Sequence, residues 1–131
     1  MKKIKFGSIE VLGYIGLFVW IAVNFMRKGN LSGNAIYLFS LGVLPNLGAA
    51  WIMTMFGKWI VLFVFKQNYT IKKHCIICLI IVGLALVSEF IHDSFLDSPS
   101  DICDILLTIA AQLAMFFAPI ASKDKYFKGY D

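Results

Sequence analysis

Four apolar stretches of bilayer-spanning length, at about residues 9–26, 35–57, 73–91 and 99–120, leave this chain few folds to choose from. Crossing about 30 Å of hydrocarbon at about 1.5 Å per residue takes roughly 20 mainly apolar residues in a helix. The 131 residues hold four such crossings and only short connections. Soluble domains carry about 25% charged residues to cover a water-facing surface; here the share is 15%. A transmembrane barrel would need short segments alternating apolar and polar residues, and these runs do not alternate. The expected fold is all-α, a single integral membrane four-helix bundle over residues 1–131.

The first crossing follows Met1-Lys2-Lys3-Ile4-Lys5. It resembles a signal peptide, but no clean small-x-small cleavage site follows, so an uncleaved helix with Glu10 at its start is expected. The block Ala35 to Phe65 contains a single charge, Lys58. As one straight helix it would be about 46 Å long and would overshoot the hydrocarbon. It therefore divides into a crossing at 35–57 and a short interfacial segment at 59–65, with Lys58 and Trp59 at headgroup depth. Pro45 should interrupt the crossing, because it cannot donate to the carbonyl of residue 41, and Asn46 lies beside that carbonyl. Ser98-Pro99-Ser100-Asp101 reads as the start of the fourth helix, a cap residue followed by proline.

Charge sets the orientation. With four crossings, Lys2, Lys3, Lys5, Lys58, Lys66, Lys72, Lys73, Lys123, Lys125 and Lys128 fall on one side, and Arg27 and Lys28 on the other. By the positive-inside rule both termini are cytoplasmic, in a multi-pass protein of the cell membrane. The net charge of +4 thus reflects topology, and nucleic acid is not an expected partner. Membrane lipids are, together with a homo-oligomer or another membrane protein.

The acids cluster. Glu89, His92, Asp93, Asp97, Asp101 and Asp104 surround one helix-loop-helix. Residues three or four apart share a helix face, so Glu89, His92 and Asp93 form one polar stripe. Asp101 and Asp104, continued by Thr108 and Gln112, form another on the antiparallel neighbour. Three uses compete. Glu89, His92, Asp101 and Asp104 form a polar site for an amphipathic ligand such as a lipid headgroup, with Glu89 and His92 as a catalytic acid/base pair if the protein is an enzyme. Alternatively the same four residues bind a divalent cation, the only cofactor the pattern suggests. The plain structural reading is that Asp101 caps a helix while Glu89 and Asp104 bond across the pair.

Other polar residues point less sharply to chemistry. His74, Cys75 and Cys78 can ligate a metal or form a redox pair, but such spacing in an apolar helix is more often packing. Cys103 is read the same way. Asn24 and Asn46 are candidates to approach the acidic cluster. Gly83, Ala110, Ala111 and Ala114 are expected to be close-contact surfaces between helices.

Glu89-x-x-His92, a short loop and Asp101-x-x-Asp104-x-x-x-Thr108-x-x-Ala111 resemble the signature of VanZ-like membrane proteins. In that family the glutamate is followed by glutamine, and the two aspartates by asparagine and glycine. Glu89, Asp101 and Asp104 match, whereas His92, Thr108 and Ala111 depart. The resemblance implies a cell-envelope role; the founding member is associated with teicoplanin resistance. Function is accordingly expected to be binding, with modification or movement, of an amphipathic lipid-like substrate at an outer-leaflet acidic site. The alternative is a non-catalytic interaction or immunity-type protein that binds another membrane protein.

Overall fold

A computed structural model describes residues 6–29, 34–96 and 101–124. The N-terminal lysines, the turn residues 30–33, Asp97, the Ser98-Pro99-Ser100 signal and the tail lysines 125 and 128 lie outside these residues. The described chain is all-helical: α1 (Ser8–Arg27), α2 (Ala35–Trp59) running on into a π-helix (Ile60–Val64), α3 (Ile71–Phe95) and α4 (Ile102–Ala121). Four of these helical stretches are long and apolar enough to cross a bilayer, as in a multi-pass membrane protein. α2 packs against all three other helices, whereas α1 and α3 lie apart on either side of it.

The distribution of side chains is that of a protein solvated by lipid. Phe18, Phe25, Leu79 and Phe90 are exposed, whereas Glu10, Thr54, Lys58, His74 and Gln112 are buried. In hydrocarbon an apolar side chain gains little by turning inward, so polar groups take the interior, where they find partners.

The helix starts follow from local capping. Asn34 and Thr70 accept from the backbone N–H groups of Ile36 and Lys73, satisfying donors that no helical carbonyl can reach. α4 starts three residues later than the proline signal predicts. Its cap is Asp101, whose Oδ1 accepts from Cys103 N at 2.9 Å.

α2 is not interrupted at Pro45. The Leu41 carbonyl, which the proline leaves without its helical donor, accepts from Arg27 Nε at 3.0 Å and Nη2 at 2.6 Å. The same device recurs in α4. Pro119 frees the carbonyl of Met115, and His74 Nε2 reaches it at 3.0 Å. In both cases a side chain from a neighbouring helix replaces the lost N–H, so each helix continues and is tied to its neighbour. Arg27→Met should therefore destabilise the bundle by about 1–3 kcal/mol, the usual cost of an unsatisfied buried acceptor. The loss should shrink in a Pro45→Ala background, where the backbone N–H returns; thermal unfolding of the four proteins in detergent checks this, and equal losses in both backgrounds would refute it.

α1 and α2 meet backbone to backbone. A Cβ on Gly16 would lie 2.7 Å from the Gly48 carbonyl oxygen, and one on Gly48 2.6 Å from that of Gly16. The expected small-residue contact at Gly83 is corrected: a Cβ there would meet nothing within 4 Å. Of the small residues in α4, Ala111 is buried with Ala50 and Ile81, but Ala110 and Ala114 are exposed.

Candidate functional site

Polar groups gather at both ends of the bundle. At the end where α3 hands over to α4, Glu89 Oε2 accepts from the backbone N–H of Asp101 at 3.1 Å. Asn46, Glu89, Asp101 and Arg27 all lie close enough to act on Asp104 electrostatically. Asp104 Oδ1 is buried with no hydrogen-bond partner among the described residues. Thr108 is spent on the backbone, donating to the Asp104 carbonyl at 2.9 Å.

Glu89, Asp101 and Asp104 thus come together as the spacing predicts, joined by two residues from elsewhere in the chain. Asn46 reaches them because α2 stays helical through Pro45. Arg27 reaches them from the last turn of α1. Asn24 does not, since its amide donates to the Trp20 carbonyl in its own helix. His92 and Asp93 lie exposed in the last turns of α3. Among the described residues, no group of three or more His, Cys, Asp or Glu is arranged to hold a metal ion, which covers Glu89, His92, Asp101 and Asp104 as well as His74, Cys75 and Cys78.

The opposite end holds a cluster that sequence reasoning missed. Glu10 Oε2 accepts from Gly7 N at 2.9 Å, and Oε1 pairs with Lys58 Nζ at 2.6 Å. These side chains are 1% and 3% exposed: Glu10 stands in the first turn of α1, as expected, and both turn into the bundle. Lys58 also lies 5.9 Å from the centre of the Tyr69 ring. Tyr69, in the connection before α3, is held as a neutral phenol by burial, which raises its pKa.

The tautomer of His74 follows from its partners. The Met115 carbonyl can only accept, so Nε2 carries the proton and Nδ1 accepts from the Tyr69 hydroxyl at 2.8 Å. Phe116 stacks on the ring, with centroids 6.0 Å apart. Deeper in, Gln112 donates to the Ala50 carbonyl at 3.0 Å and exchanges hydrogen bonds with Thr54 at 3.1 Å. Ser8 N and Oγ both donate to Asp124 Oδ2, at 2.9 and 2.6 Å, bringing the start of α1 and the end of α4 to the same end of the bundle.

One sequence signal could have located the ion pair. Glu10 and Lys58 are lone charges of opposite sign in otherwise apolar runs, and a charge among spanning residues seeks a partner within the protein. Almost every hydrogen-bonding group of this second cluster is satisfied internally, which makes it a structural lock. The acidic end keeps an unsatisfied carboxylate oxygen and is the candidate site.

The fold defines a class: a small, all-helical protein with four bilayer-length helices and polar groups turned inward. Compared with known protein families, with curated proteins and with solved structures, the chain matches none of them.

Proposed function

We propose that this is a cell-membrane protein, with both termini cytoplasmic, that binds an amphipathic lipid-like molecule at the Glu89, Asp101 and Asp104 end of the bundle, in the outer leaflet. The buried, unpartnered Oδ1 of Asp104 carries this reading. A lone carboxylate oxygen excluded from water loses about 1–3 kcal/mol or more unless it meets a donor. A headgroup ammonium or hydroxyl supplies one, while its acyl chains remain in the bilayer. The distribution of ten lysines against Arg27 and Lys28 supports the orientation. The helical stretch Ala35–Val64 is longer than the hydrocarbon is thick, which supports an interfacial position for residues 59–65. A VanZ-like, cell-envelope assignment rests on the match at Glu89, Asp101 and Asp104. His92, exposed one turn beyond Glu89, is the proton partner if the bound molecule is also modified.

The test is to purify the protein and its Asp104→Asn and Glu89→Gln variants from membranes and to identify co-purifying lipids by mass spectrometry. A species enriched with the parent should fall about tenfold in each variant, equivalent to ~1.4 kcal/mol, while helical content is unchanged. An identical lipid profile in all three would sink the proposal.

A second reading draws on α3, the least buried of the four spanning helices, with open space over Gly83. A membrane-protein partner or a second copy would cover that face. Gly83→Leu would then abolish function while Glu89→Gln is tolerated.

A further inference from the structure

A groove of about 530 Å³ runs between α2 and α3. Phe56 and Ile60 form one wall, and Ile76, Ile80 and Leu84 the other; each of these side chains is roughly half exposed. The groove is pinched at its floor where Gly57 meets Ile77, since a Cβ on Gly57 would come within 2.9 Å of the isoleucine. Beyond that point α2 changes to the wider π-helical turn over Ile60–Val64. Such turns are rare and often mark functional sites.

The two ends of the groove differ. Gln67 and Lys73 close the end near the α2–α3 connection, and the other end is wholly apolar. From Lys73 to Leu84 the helical rise is about 16 Å, roughly half of the ~30 Å hydrocarbon core. The groove therefore has the depth of one leaflet, with its cation at headgroup level. Lys73 Nζ spends one donor on the Asn68 carbonyl at 2.8 Å, which fixes the ammonium and leaves its other N–H bonds for an anion. Lys66, in the connection between α2 and α3, and Lys72, in the first turn of α3, are both exposed. No acid occurs in the sequence between Glu10 and Glu89, and Glu10 is committed to Lys58.

From this combination we propose that the groove is a binding site for an anionic phospholipid of the lysine-side leaflet, one acyl chain lying along Ile76, Ile80 and Leu84 and the phosphate held at Lys73. The site is separate from the acidic one: it lies at the opposite end of the bundle and selects the opposite headgroup charge.

The full chain would be reconstituted in nanodiscs of phosphatidylcholine with a minor fraction of phosphatidylglycerol, each lipid in turn carrying a photoactivatable acyl chain. Cross-links should concentrate on Phe56, Ile76 and Ile80 and favour phosphatidylglycerol. Lys73→Gln should lower that preference about fivefold, as expected for one lysine near a phosphate, and Ile80→Trp should displace the cross-link by filling the groove. Glu89→Gln should leave the cross-links at Phe56, Ile76 and Ile80 unchanged, which separates this site from the acidic one. Cross-links spread evenly around the bundle, equal capture of both lipids, or an unaltered preference in Lys73→Gln would each overturn the proposal.

Discussion

Replacing Lys58 with methionine should destabilise the bundle by about 3–5 kcal/mol, the usual cost of leaving a buried charge without its counterion. Glu10 is 1% exposed and has two anchors, the Gly7 amide and the Lys58 ammonium. Removing the ammonium leaves a carboxylate in a medium that solvates it poorly, with only one backbone donor. The double variant Glu10→Gln/Lys58→Met should recover most of the loss, because the glutamine side-chain oxygen still accepts from Gly7 and no uncompensated charge remains. Unfolding free energies of the parent, both single variants and the double variant, measured in the same detergent, complete the cycle. A Lys58→Met loss below about 1 kcal/mol, the range of exposed pairs, would show that the pair contributes little to holding α1 against α2.

The second large effect is expected at the α1–α2 crossing. Gly48→Val places a Cβ 2.6 Å from the Gly16 carbonyl oxygen, and a backbone atom cannot rotate away as a side chain can. The helices must separate over their closest contact, so the loss should reach or exceed the roughly 1–3 kcal/mol of ordinary overpacking. Gly13→Ala also overpacks the crossing: its Cβ would lie 2.5 Å from Met55 Sδ, which can swing away, but 2.7 Å from Met55 Cβ, which the backbone holds, so it too should destabilise, by less than a valine with its two further methyls. Gly83→Ala meets nothing and should be neutral, or stabilising by up to about 1 kcal/mol through helix propensity. Thermal unfolding of the three variants should rank Gly48→Val as much the weakest. A Gly48→Val protein as stable as the parent would mean that α1 and α2 do not cross at Gly16 and Gly48.

The two ends of the bundle were unequally legible. The acidic end was readable because its residues are close in sequence: helical spacing and a short connection bring Glu89 to Asp101 and Asp104 without knowledge of the rest of the chain. Asn46 and Arg27 were harder, because their approach depends on α2 continuing through Pro45. Proline reports the loss of one N–H, but only the packed bundle reveals that Arg27 replaces it at Leu41. The buried lock at the other end spans the chain, from Glu10 and Lys58 to His74 and Met115, so no local pattern announces it. Lys58 beside Trp59 also fits the headgroup pattern, which competes with the expectation that a lone charge in an apolar run turns to a partner within the protein.

By itself the sequence determined that the chain is helical, that it has four bilayer-length apolar segments, and that its acids gather around one helix-loop-helix. Length and composition are sufficient for these, since hydrocarbon leaves a backbone little choice except helix. The tertiary structure decided which faces turn inward, which glycines touch, that Glu10 pairs with Lys58, and that Arg27 and His74 supply the donors missing at two prolines. The reason is that apolar residues suit both lipid and protein interior, so hydrophobic periodicity carries little information about facing. In such a chain the arrangement is set by the few polar groups that must find one another.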